Sequence, residues 1–218
     1  MAVQVAGGAM RRISTRVPDL NYASDVDITG NCTVDIPAMP AALATGIINA
    51  QSVAAAGTFS PVVGFSSAMM GRYGRNVSVV LSGAGTGNVT LVGYDYLGQA
   101  IKETIALNGA TPVLSKKMFF DVAGVVAPVV GAVTMNVGYG AVLGVPYKVL
   151  STALYGELMN DAIPTAGALV AGVVTQTLTS GDPRGTYTPN TAPNGTNTYR
   201  FTCIVDRNQL HGSAHVVA

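Results

Sequence analysis

Charge is what this chain has least of. Asp, Glu, Lys and Arg make up 11% of its 218 residues, against roughly 25% in ordinary soluble domains, and the formal net charge is only +1. A free-standing protein keeps itself dispersed with a charged surface. A chain so short of charge is therefore expected to cover much of its surface with other subunits, including copies of itself as a dimer or trimer. Without a net field, no nucleic-acid partner is expected. The basic residues come in small groups (Arg11, Arg12 and Arg16; Arg72 and Arg75; Lys116 and Lys117), and none alternates with aromatics as a single-strand groove requires. Tryptophan is absent and aromatics are 6%, which removes the best sugar-stacking platform and weakens a glycan-binding reading.

Reactive side chains are as sparse. The two cysteines, Cys32 and Cys203, are too few for a disulfide framework or a metal cage. Each reads as a small buried hydrophobe, and whether they meet in space is not legible from their positions. The two histidines, His211 and His215, are four apart but lack the Glu of a His-Glu-x-x-His site, and Gly212 interrupts any helix there. Asp25 and Asp27 share one face of an extended segment near Asp19 and Asp35, without the twelve-residue pattern of a calcium loop. Gly83-Ala-Gly-Thr-Gly87 resembles a phosphate cradle only in composition. Its third glycine comes one residue early for a dinucleotide fingerprint, and a strand rather than a helix follows, so a hairpin loop is expected. No catalytic residue, metal or cofactor is expected, and the chain reads as non-enzymatic.

Long apolar runs are missing too. Residues 36–71 and 122–147 carry no charge, but prolines, glycines and polar residues interrupt both. Neither supplies the ~20 apolar residues of a membrane-spanning helix, so no membrane partner is expected. Met1–Met10 lacks the basic and long apolar regions of a signal peptide.

What the chain does have is glycine, 26 residues of it, and short β-branched segments of period two. Residues 76–81, 89–96, 99–107, 117–122, 133–137, 145–150, 168–178 and 198–206 read as strands, separated by turns such as Asn108-Gly109. In the third of these, Ile101, Glu103, Ile105 and Leu107 share one face. The expected fold is all-β, an antiparallel sandwich or barrel of jelly-roll type, with a β-rich core over 76–218. Residues 1–75 read as an extended N-terminal arm, with a short helix over 41–56 weakened by Gly46 and Ser52. Residues 179–197, rich in Pro, Gly and Asn, read as a long loop, the kind of connection that reaches a neighbour.

Four stretches occur in a distinctive order: Val92-Gly-Tyr-Asp-Tyr-Leu-Gly-Gln-Ala-Ile-Lys-Glu-Thr-Ile-Ala-Leu-Asn-Gly109; Lys116-Lys-Met-Phe119; Val137-Gly-Tyr-Gly-Ala-Val-Leu-Gly-Val-Pro-Tyr147; and Gly181-Asp-Pro-Arg-Gly-Thr-Tyr-Thr-Pro-Asn190. This order resembles that of small structural proteins of tailed-bacteriophage virions, over about residues 76–207. Ala141 stands where such chains often carry an acid, and Ser115 where they carry glycine. The resemblance implies a virion component on the outer capsid surface, a decoration (cement) protein whose partner is the major capsid protein. A tail-tube or head–tail connector protein is the alternative, and a receptor- or glycan-binding adhesin the third reading. Interface residues are then expected at Arg11, Arg12 and Arg16 in the arm and at Asp182 and Arg184 in the long loop.

Overall fold

The structure, a computed structural model, describes residues 29–207, 211, 212, 214 and 215. The described chain is all-β and antiparallel, with no α-helix among those residues. Its strands are β1 (Thr29–Ile36), β2 (Leu43–Ser52), β3 (Gly57–Phe59), β4 (Arg75–Leu81), β5 (Asn88–Tyr94), β6 (Ala100–Ala106), β7 (Val113–Leu114), β8 (Asp121–Ala127), β9 (Thr134–Gly144), β10 (Val149–Met159), β11 (Ala168–Ala171), β12 (Gly185–Thr188) and β13 (Tyr199–Asp206). They form a three-stranded sheet β1-β13-β10, a four-stranded sheet β3-β8-β5-β6, and a six-stranded sheet β11-β12-β9-β4-β7 in which β2 also pairs with β9.

Two apolar cores lie between these layers, and β9 runs through both. Its first half supplies Met135, Val137 and Tyr139 to a core shared with β2, β4, β5, β6 and β8. Its end supplies Leu143, which with Val145 packs against Val34, Ile36, Tyr187, Phe201 and Val205. The β5–β6 hairpin shows why period two works here. Val89, Leu91, Ile101 and Ile105 turn inward while Thr90, Lys102 and Thr104 do not, as pleating requires. Its turn is set by Asp95, whose Oδ1 accepts the N–H groups of Leu97 at 2.9 Å and Gln99 at 2.8 Å, an Asx turn. Gly98 completes it at φ 77°.

Four sequence expectations give way. The described part of residues 1–75 is not an arm: β1 pairs along its whole length with β13, β2 with β9, and β3 with β8. The helix expected over 41–56 is β2. Two register shifts bulge that strand against β9, so Ile47 and Ile48 both turn inward and the period-two signal is lost. The loop at 83–87 is no hairpin, because β4 and β5 lie in different sheets; it crosses between layers and rests on the 107–109 turn through the Gly109 N–H to Gly85 C=O bond. The long loop at 179–197 contains a buried strand, β12, paired with β11 and β9.

Close approach explains the glycines of β9. A Cβ on Gly138 would stand 1.9 Å from the Leu43 carbonyl oxygen and 2.5 Å from the Ala44 carbonyl carbon. Gly138→Ala must therefore push β2 off β9, and is expected to cost about 2–3 kcal/mol. In Gly57→Ala the new methyl meets only the Phe59 ring at 3.5 Å, and the expected change is within about 0.5 kcal/mol. Urea unfolding of the two variants checks the contrast.

Candidate functional site

Segments far apart in the sequence come together at one place. Asp95, at the β5–β6 turn, and Arg184, just before β12, form a buried ion pair with Nη1 2.6 Å from Oδ2. Both residues are 1% exposed. Asp182 sits beside them, its Oδ1 3.6 Å from Arg184 Nε. The same oxygen accepts the Arg184 backbone N–H at 2.9 Å, and its Oδ2 accepts the Met118 N–H at 3.0 Å. The guanidinium lies over the Tyr96 ring, 4.8 Å from its centroid. The Arg184 carbonyl accepts the Val149 N–H at 2.8 Å, where β10 begins. One residue thus touches all three sheets: β5–β6 through its side chain, β10 through its carbonyl, and β12 through the chain itself.

Electrostatics follow from this packing. Burial works against the Asp95 carboxylate, but the His215 ring, the Arg184 guanidinium and the Gln99 N–H outweigh it and hold the carboxyl at about 2. Burial pushes the Tyr96 phenol up to about 12, against the pull of Arg184. His215, from the C-terminal segment, closes the cluster with Nε2 3.6 Å from Asp95 Oδ2. Neither of its ring nitrogens, nor Arg184 Nε or Nη2, finds a hydrogen bond among the described residues.

A second buried carboxylate adjoins the first. Glu103, on β6, accepts the N–H groups of Lys116 at 2.7 Å and Lys117 at 2.8 Å. Burial outweighs those bonds and both neighbouring ammonium groups, pushing its carboxyl up to about 7. Lys117 is itself buried, its Nζ capped by the carbonyls of Thr177 at 2.8 Å and Lys102 at 3.2 Å, and desolvation lowers its affinity for a proton. Elsewhere Arg75 is sunk among backbone carbonyls. It donates to Gly140 through Nε and Nη2, and through Nη1 to Pro40 at 2.8 Å and Met69 at 3.2 Å. Lys148 and Asp206 pair at 3.3 Å, also buried.

The residues expected at an interface fare differently. Arg11, Arg12 and Arg16 lie outside the described residues, as do Asp19, Asp25 and Asp27. Asp182 and Arg184 are described, and they face inward. At 2% and 1% exposure they hold the chain to itself instead of reaching a neighbour. The loop composition that pointed outward belongs to a segment whose residues 182–187 are all buried. The two histidines part company: His215 is buried on Asp95, while His211 is exposed, with Nδ1 3.1 Å from the Tyr96 hydroxyl. Among the described residues no three metal-ligating side chains cluster. Asp95, Glu103, Lys117, Arg75 and His215 were not among the residues expected at a site. Glu103 had a signal, a carboxylate on the apolar face between Ile101 and Ile105; the others had none, since each is buried by strands distant in sequence. No protein-family model, curated protein or solved structure matches the chain.

The arrangement clamps. Removing Arg184 strands Asp95 in the interior, so Arg184→Met is expected to cost about 3–5 kcal/mol. Asp95→Asn together with Arg184→Met should recover part of that loss, because the Asp95 charge is then no longer stranded, while Asp182 keeps its backbone N–H donors; a double-mutant cycle by chemical denaturation measures it. The two carboxylates give opposite pH trends. Asp95, held low, stabilises the fold above the ordinary carboxylate range, and that contribution disappears as pH falls toward about 2. Glu103, held high, keeps a proton that the unfolded chain releases, so stability should fall by up to about 3 kcal/mol as pH rises from about 4.5 to about 7. Glu103→Gln should be less stable, since its amide faces an N–H donor, yet lack that slope in unfolding curves taken across the window.

Proposed function

We propose that the chain is a non-enzymatic structural protein of a virus particle, a decoration protein that binds the outer capsid across junctions between major-capsid subunits. The observation that carries this reading is where the charge lies. Arg75, Asp95, Glu103, Lys117, Lys148, Asp182, Arg184 and Asp206 are all buried, so much of an already small complement of charge is spent inside. Outside stand Val63, Val129, Tyr155, Ile163, Val170 and Val174, each 49% exposed or more. A lone molecule in water gains nothing from that inversion. A subunit in a shell does, because apolar surface is covered on assembly and few charged groups must be desolvated at its centre.

The order of motifs supports the same reading. The stretches whose order resembles tailed-phage virion proteins supply Asp95, Glu103, Met118, Asp182 and Arg184. The likeness therefore falls on the residues that tie the sheets together, where a shared fold would leave its mark. Mechanistically the role is mass action: a ligand that binds the assembled shell and not loose subunits shifts the equilibrium toward the shell. Many copies multiply weak contacts through effective concentration.

Cryo-electron microscopy of purified particles tests it. Density for this 22.2 kDa chain on the outer shell, at local two-fold or three-fold positions, is the expected result. Density in the tail would replace decoration by a tail-tube or head–tail role, and absence from the particle would end the virion reading.

A further inference from the structure

The two cysteines, at opposite ends of the sequence, stand face to face in the fold. The β1–β13 ladder is unbroken from Thr29↔Asp206 to Ile36↔Tyr199, and within it Cys32 is paired directly with Cys203. Directly opposed residues of an antiparallel pair project to the same side of the sheet. Here that side is the second core: Val34, Ile36, Phe201, Cys203 and Val205 are buried in it and Cys32 packs at its rim. Both thiols are free.

The backbone pattern sets their separation. The Asp206 N–H donates to the Lys148 carbonyl, on the β10 side, and the Thr198 carbonyl accepts from Asn160 on that same side. Along a strand successive backbone groups alternate in direction, so even-numbered residues of β13 turn their backbone toward β10 and odd-numbered ones toward β1. Cys203 therefore exchanges backbone hydrogen bonds with Cys32, and Cα atoms of such a pair lie about 5.5 Å apart. That falls inside the roughly 4.4–6.8 Å spanned by disulfides. On the opposite face the next pair, Thr33 and Thr202, is of the closer, non-hydrogen-bonded kind, with its Oγ1 atoms 3.1 Å apart. Opposed Cβ atoms of a hydrogen-bonded pair lie toward the wide end of about 4.5–5.5 Å and must close by about 1–2 Å to reach the roughly 3.8 Å typical of a disulfide. β1 is the outer strand of its sheet and can give way.

We infer that Cys32 and Cys203 form a cross-strand disulfide when the folded protein meets a small disulfide oxidant such as oxidised glutathione, locking β1 onto β13. Cys32 is the point of entry, being half-buried where Cys203 is fully enclosed. Its thiolate attacks one sulfur of the oxidant, whose S–S bond breaks, and one glutathione leaves. Cys203 sulfur then attacks Cys32 Sγ, the mixed disulfide breaks, and the second glutathione leaves. Two protein thiols are oxidised, one glutathione disulfide is reduced to two thiols, and the two protons lost by the cysteines end on the leaving thiols. The reaction is slow at neutral pH, because only thiolates attack. Burial raises Cys32, eased by the Arg207 guanidinium, and burial with the neighbouring Cys32 pushes Cys203 up to about 12.

The experiment incubates the native protein with oxidised glutathione at neutral and alkaline pH, then unfolds it in an alkylating agent for intact-mass and peptide analysis. The expected product is a monomer that has lost two hydrogens, takes up no alkylating agent and yields one peptide joining Cys32 to Cys203. It should form faster at the higher pH and show residues 29–36 better protected in hydrogen exchange. Cys32→Ala, at the half-buried position, must give none of this, and the same mass loss in that variant would overturn the assignment. So would a lasting glutathione adduct on Cys32 beside a free Cys203, alkylation of both cysteines, or a cross-link found only between two chains.

Discussion

The guanidinium of Arg184 is the constraint around which the fold closes. A buried charge left alone costs several kcal/mol, so every arrangement that buries Arg184 must also deliver Asp95 and Asp182 to it. Asp95 comes at the turn of the β5–β6 hairpin, and Asp182 arrives two residues before Arg184 with the 118 segment already bonded to it. The carbonyl of the same residue starts β10. Three sheets cannot slide past one another while this joint holds, because any slip strands a charge. Apolar packing supplies most of the stabilisation in the two cores; the ion cluster supplies the register between them.

Two carboxylates a few residues apart in the β5–β6 hairpin show how environment divides identical chemistry. Asp95 has a cation in contact and turn N–H groups on its other oxygen, and its charge is kept. Glu103 has N–H donors on both oxygens but no side-chain cation within ion-pair distance among the described residues, and burial dominates. The difference comes from what stands opposite each group across the sheets, not from its own strand.

Enclosing charge has a consequence at the periphery. β6 is an outer strand, the kind that invites pairing with another chain, but its Thr104 N–H is taken by the Leu178 carbonyl and its Lys102 carbonyl by the Lys117 ammonium. Apolar side chains such as Val63 and Ile163 are left standing in solvent instead. Pairing with another chain along β6 is thereby limited, while apolar side chains elsewhere stay exposed.

Local pattern sufficed for much of this. Alternation of apolar and polar residues is imposed by the pleat of a half-buried strand, so β5, β6 and β13 were legible from the sequence, and with them the all-β class. Strands buried on both faces, or bulged, carry no such alternation. β2, with Ile47 and Ile48 both inward, read as a helix, and β12 read as loop because its four residues sit among the prolines, glycines and asparagines of 179–197. The ion cluster was not legible as a cluster for a different reason: Asp95, Asp182, Arg184 and His215 are ordinary polar residues until distant segments exclude water from them. The sequence by itself determined how each strand would present its faces; the tertiary structure decided which charges would be sealed inside and that Cys32 would meet Cys203, because desolvation and cross-sheet register exist only once remote parts of the chain are packed together.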